Sequence, residues 1–146
     1  MPKTILAIDD EPATLRLLDV VLEGAGFEVD EAEDGEEALE RIREMPPDLC
    51  ILDVMMPRMD GWEVLRVLRR DRDLVDIPVL MLTARGDPAS RIRGWELGCD
   101  AYLPKPFEPN DLVDEVMAVL LRSPHERRRQ REKQVAAARA ITDRRR

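Results

Sequence analysis

Short apolar runs alternate along this chain with segments in which apolar residues recur every three or four positions. The short runs predict five β-strands, at 4–9, 27–31, 48–53, 78–83 and 100–104. The periodic segments predict five amphipathic helices, of which the fourth, near 88–97, is the least apolar. Strands that alternate with helices are typical of βαβ units and of a parallel sheet. The pattern therefore predicts an α/β fold with five strands and five helices.

The pattern changes after Leu121. Residues 123–126, Ser-Pro-His-Glu, have the form of a helix-capping box with proline in the first helical position. A sixth helix is expected to stand apart from the core because its apolar face is thin, consisting chiefly of Val135, Ala138 and Ile141. We therefore predict a domain over residues 1–122 and a basic, helical C-terminal extension over residues 123–146.

Length and composition indicate one hydrophobic core, since 146 residues with 44% hydrophobic content are too few for two ordinary domains. The two cysteines, Cys50 and Cys99, match neither a disulfide scaffold nor a zinc site, which favours a reducing compartment. No apolar stretch approaches the length of a membrane span. A soluble, cytoplasmic protein without membrane contact is therefore expected.

The net charge of −8 conceals an asymmetry between the body and the extension. Residues 1–121 hold 28 acidic and 13 basic side chains, whereas residues 122–146 hold 3 acidic and 10 basic ones. An acidic body repels nucleic acid, so no direct DNA binding by the body is expected. Three interpretations of the extension stay open: a solvated helix, a helix that binds a partner or dimerises, and a nucleic-acid or membrane-surface contact.

Four of the apolar runs end on residues that carry chemistry: Asp9 and Asp10, Asp53, Thr83, and Lys105. Because the carboxyl ends of parallel strands border one crevice, these side chains are expected to converge there. Three carboxylates in one place repel each other unless a cation joins them, and Mg²⁺, with Mn²⁺ as a substitute, suits a small open acidic site. With the ion bound, Asp53 is the best candidate for a nucleophile toward a phosphoryl donor.

These residues carry a family resemblance. The segments IDDE (8–11), LDVMMPRMDGWEVL (52–65), MLTAR (81–85) and GCDAYLPKPF (98–107) resemble receiver domains of two-component response regulators, in the right order. The likeness is to single-domain, chemotaxis-regulator-like receivers and covers residues 3–121. It implies a flavodoxin-like, doubly wound (βα)5 sandwich whose parallel strands lie in the order 2-1-3-4-5.

The resemblance also implies roles for individual residues. Asp53 would be the phosphoacceptor, and Asp9, Asp10 and the backbone carbonyl of Met55 would join it as magnesium ligands. Further implied features are a phosphate-contacting Lys105, a cis peptide bond between Lys105 and Pro106, and switch residues Thr83 and Tyr102. In this scheme the Thr83 hydroxyl moves toward the phosphoryl group, and Tyr102 rotates inward to fill the vacated space. Met55 and Arg85 are expected to make self-dephosphorylation slow.

We therefore expect a receiver that takes a phosphoryl group from a histidine kinase or phosphotransfer protein and is not an enzyme in the metabolic sense. Its signal would leave through the face formed by the fourth helix, the fifth strand and the fifth helix, by docking to a downstream protein or by forming a homodimer. Two alternatives stay open: a scaffold with this fold that works without phosphorylation, and a transcriptional regulator cut from a longer chain. The complete set of acids, threonine and lysine argues against the scaffold.

Overall fold

The computed structural model describes the backbone of residues 1–144 and the side chains of residues 1–141. The strands are β1 (Thr4–Ile8), β2 (Glu28–Ala32), β3 (Leu49–Leu52), β4 (Val79–Thr83) and β5 (Ala101–Pro104). The helices are α1 (Pro12–Gly24), α2 (Gly35–Glu44), α3 (Gly61–Arg70), α4 (Pro88–Leu97), α5 (Pro109–Leu121) and α6 (Pro124–Arg144). Every predicted strand is present, with ends shifted by at most one residue. Residues 145 and 146 of the predicted extension lie outside the described residues.

The five strands form one parallel sheet in the order β2-β1-β3-β4-β5, which confirms the predicted topology. Strands β3 and β4 are buried along their whole length, as expected for the centre of a sheet covered on both faces. The strand order reverses between β1 and β3, and this reversal opens a crevice at their carboxyl ends. The two strands end side by side, since the amide of Asp53 donates to the carbonyl of Ile8 (3.1 Å).

Helices cover both faces of the sheet, each with its own apolar core. One core joins β1, β3 and β4 to the apolar faces of α2 and α3, and Trp95 and Leu97 of α4 pack at its border. The other core lies beneath α1 and α5 and contains Leu18, Ile51 and Val116. The doubly wound arrangement follows from strands whose side chains are apolar on both sides.

Aspartate side chains fix the start of three helices. Asp34, Asp60 and Asp87 each accept a hydrogen bond from the backbone amide three residues later, at the beginning of α2, α3 and α4. These caps set the lengths of the loops that follow β2, β3 and β4, and two of those loops border the crevice. Among the described helices, none combines the length and the hydrophobicity that crossing a membrane requires.

The two edges of the sheet are formed by β2 and β5. Strand β2 exposes the acidic side chains of Glu28 and Asp30. Strand β5 has four residues and ends at Pro104. Both edges are therefore short and poor in exposed apolar surface.

Helix α6 begins with the predicted capping box, in which Ser123 and Glu126 exchange hydrogen bonds between side chains and backbone amides. We expected this helix to stand apart from the body, but it lies against α4. Arginines hold it there: Arg131 forms an ion pair with the buried Asp100 (2.8 Å), and Arg127 donates to the carbonyl of Asp76 (2.8 Å). The apolar pattern missed this docking because the anchors are charged.

Candidate functional site

Three carboxylates meet at the crevice between β1 and β3. Asp9 and Asp53 directly follow their strands and are buried, at 2% and 5% exposure, whereas Asp10 is exposed. Each of the three offers an oxygen within 4.8 Å of the others. The structure thus brings together the acidic residues that the sequence placed at separate strand ends, in a set of hard oxygen donors that suits Mg²⁺.

Lys105 brings a positive charge into this cluster. It follows β5, and its ammonium lies 2.8 Å from a carboxylate oxygen of Asp9 and 3.2 Å from one of Asp53. Burial lowers the pKa of Lys105, but the hydrogen bond to Asp9 and the charges of Asp53 and Asp9 raise it on balance above its ordinary value. The lysine is therefore held in its charged form between the two buried carboxylates.

One cation does not balance three carboxylates. Burial raises the pKa of Asp9 above its ordinary value, even though hydrogen bonds from Lys105 and from the amide of Glu11 act in the opposite direction. Unbalanced negative charge in a partly desolvated cluster is relieved by binding a cation. The three carboxylates thus form a set of ligands that suits a divalent metal ion.

Thr83, the last residue of β4, is completely buried and lies beside the lysine. Its carbonyl accepts a hydrogen bond from the amide of Lys105 (2.8 Å), and its hydroxyl accepts one from the amide of Arg85 (3.2 Å). The peptide bond between Lys105 and Pro106 is cis. The threonine hydroxyl therefore keeps its own proton available for an acceptor at the crevice.

Tyr102 of β5 is connected to the same loop. Its hydroxyl donates to the carbonyl of Arg85 (2.5 Å), and its ring lies under α4, so close that a Cβ on Gly94 would be 2.8 Å from it. The side chain of Arg91 lies over the ring, 5.5 Å from its centre. We expected the ring to rotate inward on phosphorylation, but it is already buried here, with 8% of its surface exposed. Burial raises the pKa of Tyr102 to about 12.

The loop between β3 and α3 passes close to Asp53. The amide of Met55 donates to a carboxylate oxygen of Asp53 (3.3 Å), and the Met55 side chain is exposed. The Arg85 guanidinium lies 3.3 Å from the Met55 sulfur, so the two residues expected to control dephosphorylation contact each other. The metal-binding role of the Met55 carbonyl stays a prediction.

Gly61 is a site residue that the sequence analysis did not single out. Its amide donates to the carbonyl of Val54 (2.9 Å), and a Cβ at this position would overlap the carbonyl group of Asp53. Glycine is required because the start of α3 approaches the backbone of the phosphoacceptor candidate so closely. The Asp60-Gly61 pair at the start of α3 is the sequence signal for this close approach, but the same pair also fits an ordinary helix start.

Comparison with known proteins supports this geometry. The family model of the response regulator receiver domain matches residues 5–117 of this chain. The phosphate regulon transcriptional regulatory protein PhoB of Pseudomonas aeruginosa is 46% identical over 121 residues, which are 83% of this chain and 53% of that protein. A solved chain from Chloroflexus aurantiacus is 43% identical with a TM-score of 0.81, covering 84% of this chain and 100% of that one. The chemotaxis protein CheY4 of Vibrio cholerae is 34% identical with a TM-score of 0.77, covering 82% of this chain and 99% of that one.

These likenesses extend over the body but not over the whole length of the relatives. The chain spans about half the length of the curated relatives it matches. Over the shared part, the strand order, the acidic cluster and the family model agree with one another. The chain therefore belongs to the response regulator receiver domain family of two-component systems.

Proposed function

We propose that this chain accepts a phosphoryl group on Asp53 from a histidine kinase or a phosphotransfer protein. The observation that carries the proposal is the position of the Lys105 ammonium, which contacts the buried carboxylates of both Asp9 and Asp53. From this position the ammonium can pair with an oxygen of a phosphoryl group placed on Asp53. The resemblance and the family match support the same role.

Magnesium is part of the proposal because the donor set fits it. The carboxylates of Asp9, Asp10 and Asp53 would hold the ion, with the Met55 carbonyl as a further ligand, and Mn²⁺ would substitute for it. When bound, Mg²⁺ neutralises charge on the transferring phosphoryl group and aligns its oxygens. Three carboxylates this close together repel one another, and a bound divalent cation offsets that repulsion.

In the proposed transfer, a carboxylate oxygen of Asp53 attacks the phosphorus of a phosphohistidine. The new O–P bond forms as the N–P bond breaks, and the donor imidazole keeps the electron pair and takes up a proton from solvent. Lys105 then pairs with one phosphoryl oxygen, and the hydroxyl of Thr83 donates to another. The chain acts on itself in this reaction and is not an enzyme that turns over a substrate.

The phosphorylated state is proposed to be long-lived. A water molecule must reach the phosphoryl group in line, and Met55 cannot orient it by hydrogen bonding. The Arg85 guanidinium beside the Met55 sulfur would shield the same approach. Loss of the phosphoryl label within seconds would contradict this proposal.

The signal would leave through the loop that follows β4. When the Thr83 hydroxyl turns to the phosphoryl group, its bond from the Arg85 amide is lost, and the Arg85 carbonyl that holds Tyr102 moves with it. The affected surface is the α4-β5-α5 face, through which a downstream protein or a second copy of the chain would dock. Phosphorylation must favour the active state by several kcal/mol to switch the population.

The test is intact mass of the full chain after incubation with acetyl phosphate and Mg²⁺. A gain of one phosphoryl group is expected for the wild type and for the matched control Asp73→Asn, an exposed aspartate outside the site. The gain should disappear in Asp53→Asn and when Mg²⁺ is chelated. No gain under conditions that label another receiver would favour the scaffold that works without phosphorylation.

Control of transcription is the remaining alternative, and one observation bears on it. The relatives named as transcriptional regulators are longer than this chain, and the matched residues cover only about half of each. The body is strongly acidic, so we propose that any effect on transcription passes through a protein contact rather than through DNA binding by the body. Absence of salt-dependent DNA binding by the phosphorylated chain is the expected result.

A further inference from the structure

Helix α4 is held weakly by the body of the domain. Within Pro88–Leu97 the buried residues are Ser90 and Gly94, neither of which offers a large apolar side chain. The larger apolar residues Ile92 and Trp95 line the cavity beside α6, and Trp95 reaches the core only at its border. Little apolar burial implies that α4 by itself opens easily.

Helix α6 supplies the packing that α4 lacks. The two helices run antiparallel, since Arg131 lies near Gly98 at one end and Ile141 lies near Gly86 and Pro88 at the other. Small residues of α6, among them Ala137, line a cavity of about 550 Å³ beside Trp95. The contact is therefore incompletely filled, and apolar packing alone does not hold it.

The anchor of α6 is the carboxylate of Asp100, which is 3% exposed. One of its oxygens accepts from Arg69 of α3 and from the amide of Val79 in β4, both at 2.9 Å. Its other oxygen accepts from Arg131 of α6 at 2.8 Å. Burial lowers the pKa of Arg69 to about 10, despite the favourable charge of Asp100. Helix α3, strand β4 and helix α6 are thus joined at one buried group.

This anchor is close to the proposed switch. Asp100 immediately precedes β5, and Tyr102 follows two residues later on the same strand. The ring of Tyr102 lies against Gly94 on the inner side of α4, while α6 covers the outer side. Helix α4 is therefore held between the switch tyrosine and α6, and a shift of α4 affects both contacts.

We propose that the outward face of α4 is a helix-docking surface occupied by α6 of the same chain, and that docking of α6 and phosphorylation of Asp53 favour each other. The sign follows from the position of α4: the inward ring of Tyr102 and the docked α6 hold the helix in one place from opposite sides, and phosphorylation is expected to favour the inward ring. This inference rests on the proposed function. A coupling between two sites is reciprocal, so loss of the α6 anchor must also weaken the phosphorylated conformation.

The first experiment needs no phosphorylation. Hydrogen exchange of the full chain is measured by mass spectrometry for the wild type, for Arg131→Ala, and for Arg129→Ala, which alters an exposed arginine on the same helix. Arg131→Ala should speed exchange in α4 and α6 about tenfold, since a charged hydrogen bond to a buried group is lost. The control should exchange like the wild type. Equal exchange in all three proteins would overturn docking.

A second variant tests the docking independently, in case Arg131→Ala does not fold. Val135→Lys places a positive charge on the side of α6 that faces α4, among the arginines that line the same groove, and changes no residue of the Asp100 cluster. It should speed exchange in α4 and α6 as Arg131→Ala does, while β1 and β3 stay protected. Loss of protection in α6 without any change in α4 would overturn the claim that α6 supports α4.

The second experiment tests the coupling with beryllium fluoride and Mg²⁺ as the phosphoryl mimic. Protection of the amides next to Asp53 reports that the mimic is bound, which tests the proposed function separately. When the mimic is bound, exchange in α6 should slow in the wild type, and the mimic should bind more weakly to Arg131→Ala than to Arg129→Ala. Unchanged or faster exchange in α6 with the mimic bound would overturn the coupling but leave the proposed function standing.

Discussion

Replacing Lys105 by methionine removes the ammonium that contacts Asp9 and Asp53 and keeps most of the side chain's apolar stem. Two opposite charges about 4 Å apart attract each other by about 4 kcal/mol at the effective dielectric constant of a protein near its surface. Removing one partner of a buried ion pair costs about 3–5 kcal/mol. The Lys105 side chain is 16% exposed, so water offsets part of this loss. We expect Lys105→Met to lower the free energy of unfolding by about 2–4 kcal/mol at neutral pH without metal.

The stability loss of Lys105→Met should depend on pH. The pKa of Asp9 is already raised by burial, and losing the lysine raises it further. When the pKa of an aspartate is higher in the folded state than in the unfolded state, the protonated group stabilises the fold below the unfolded-state pKa. This stabilisation is lost as the pH rises through the folded-state pKa. The deficit of the variant should therefore shrink in acid.

The assay is urea denaturation in chelator at neutral and acidic pH, repeated with Mg²⁺. The matched control is Lys3→Met, which changes an exposed lysine in the same chemical way. Magnesium should restore more stability to Lys105→Met than to the wild type, because the ion replaces the missing positive charge. A loss below about 1 kcal/mol that does not depend on pH would refute the reasoning, since it is the size expected of an exposed ion pair.

Three further predictions follow from single contacts. Gly61→Ala should destabilise the chain by about 1–3 kcal/mol and slow phosphorylation, because the new Cβ overlaps a backbone carbonyl at the site. The control Gly24→Ala should be tolerated, because the space around Gly24 is open. Urea denaturation and phosphorylation rates compare the two variants. Tyr102 is the one tyrosine of the sequence, so titration at the phenolate absorbance should give a native pKa near 12, and stability should fall as pH rises from 10 to about 12; a native midpoint near 10 would contradict its burial. Burial raises the pKa of Cys50 to about 12 and also raises the pKa of Cys99. Neither thiol should therefore react with a thiol reagent until the chain unfolds. Rapid labelling of the native protein would contradict the burial of these two side chains.

The sequence predicts the sheet and the acidic cluster well for a physical reason. Central strands that are buried on both faces read as continuous apolar runs, and β3 and β4 are such strands. Because parallel strands end at one edge, residues that follow them, such as Asp9, Asp53 and Lys105, must lie near each other. Local pattern and topology together are sufficient to place these side chains.

Other features depend on contacts that no local pattern encodes. The docking of α6 rests on Arg131 and Arg127, and charged residues on a helix predict solvent exposure unless the buried acceptor is known. The need for glycine at position 61 appears only when the approach of α3 to Asp53 is seen. The buried ring of Tyr102 likewise depends on the absence of a side chain at Gly94, a partner on a different element.

The edges of the sheet determine how copies of this chain can meet. An unpaired edge strand offers backbone hydrogen-bonding groups to another chain and is a common start of aggregation. Here β2 exposes Glu28 and Asp30, so two copies that approach by this edge repel each other at neutral pH. At the other edge, β5 is short and ends at Pro104, which has no backbone N–H to donate. Any homodimer of this protein is therefore expected to form through helix faces, and pairing of two sheets edge to edge is not expected.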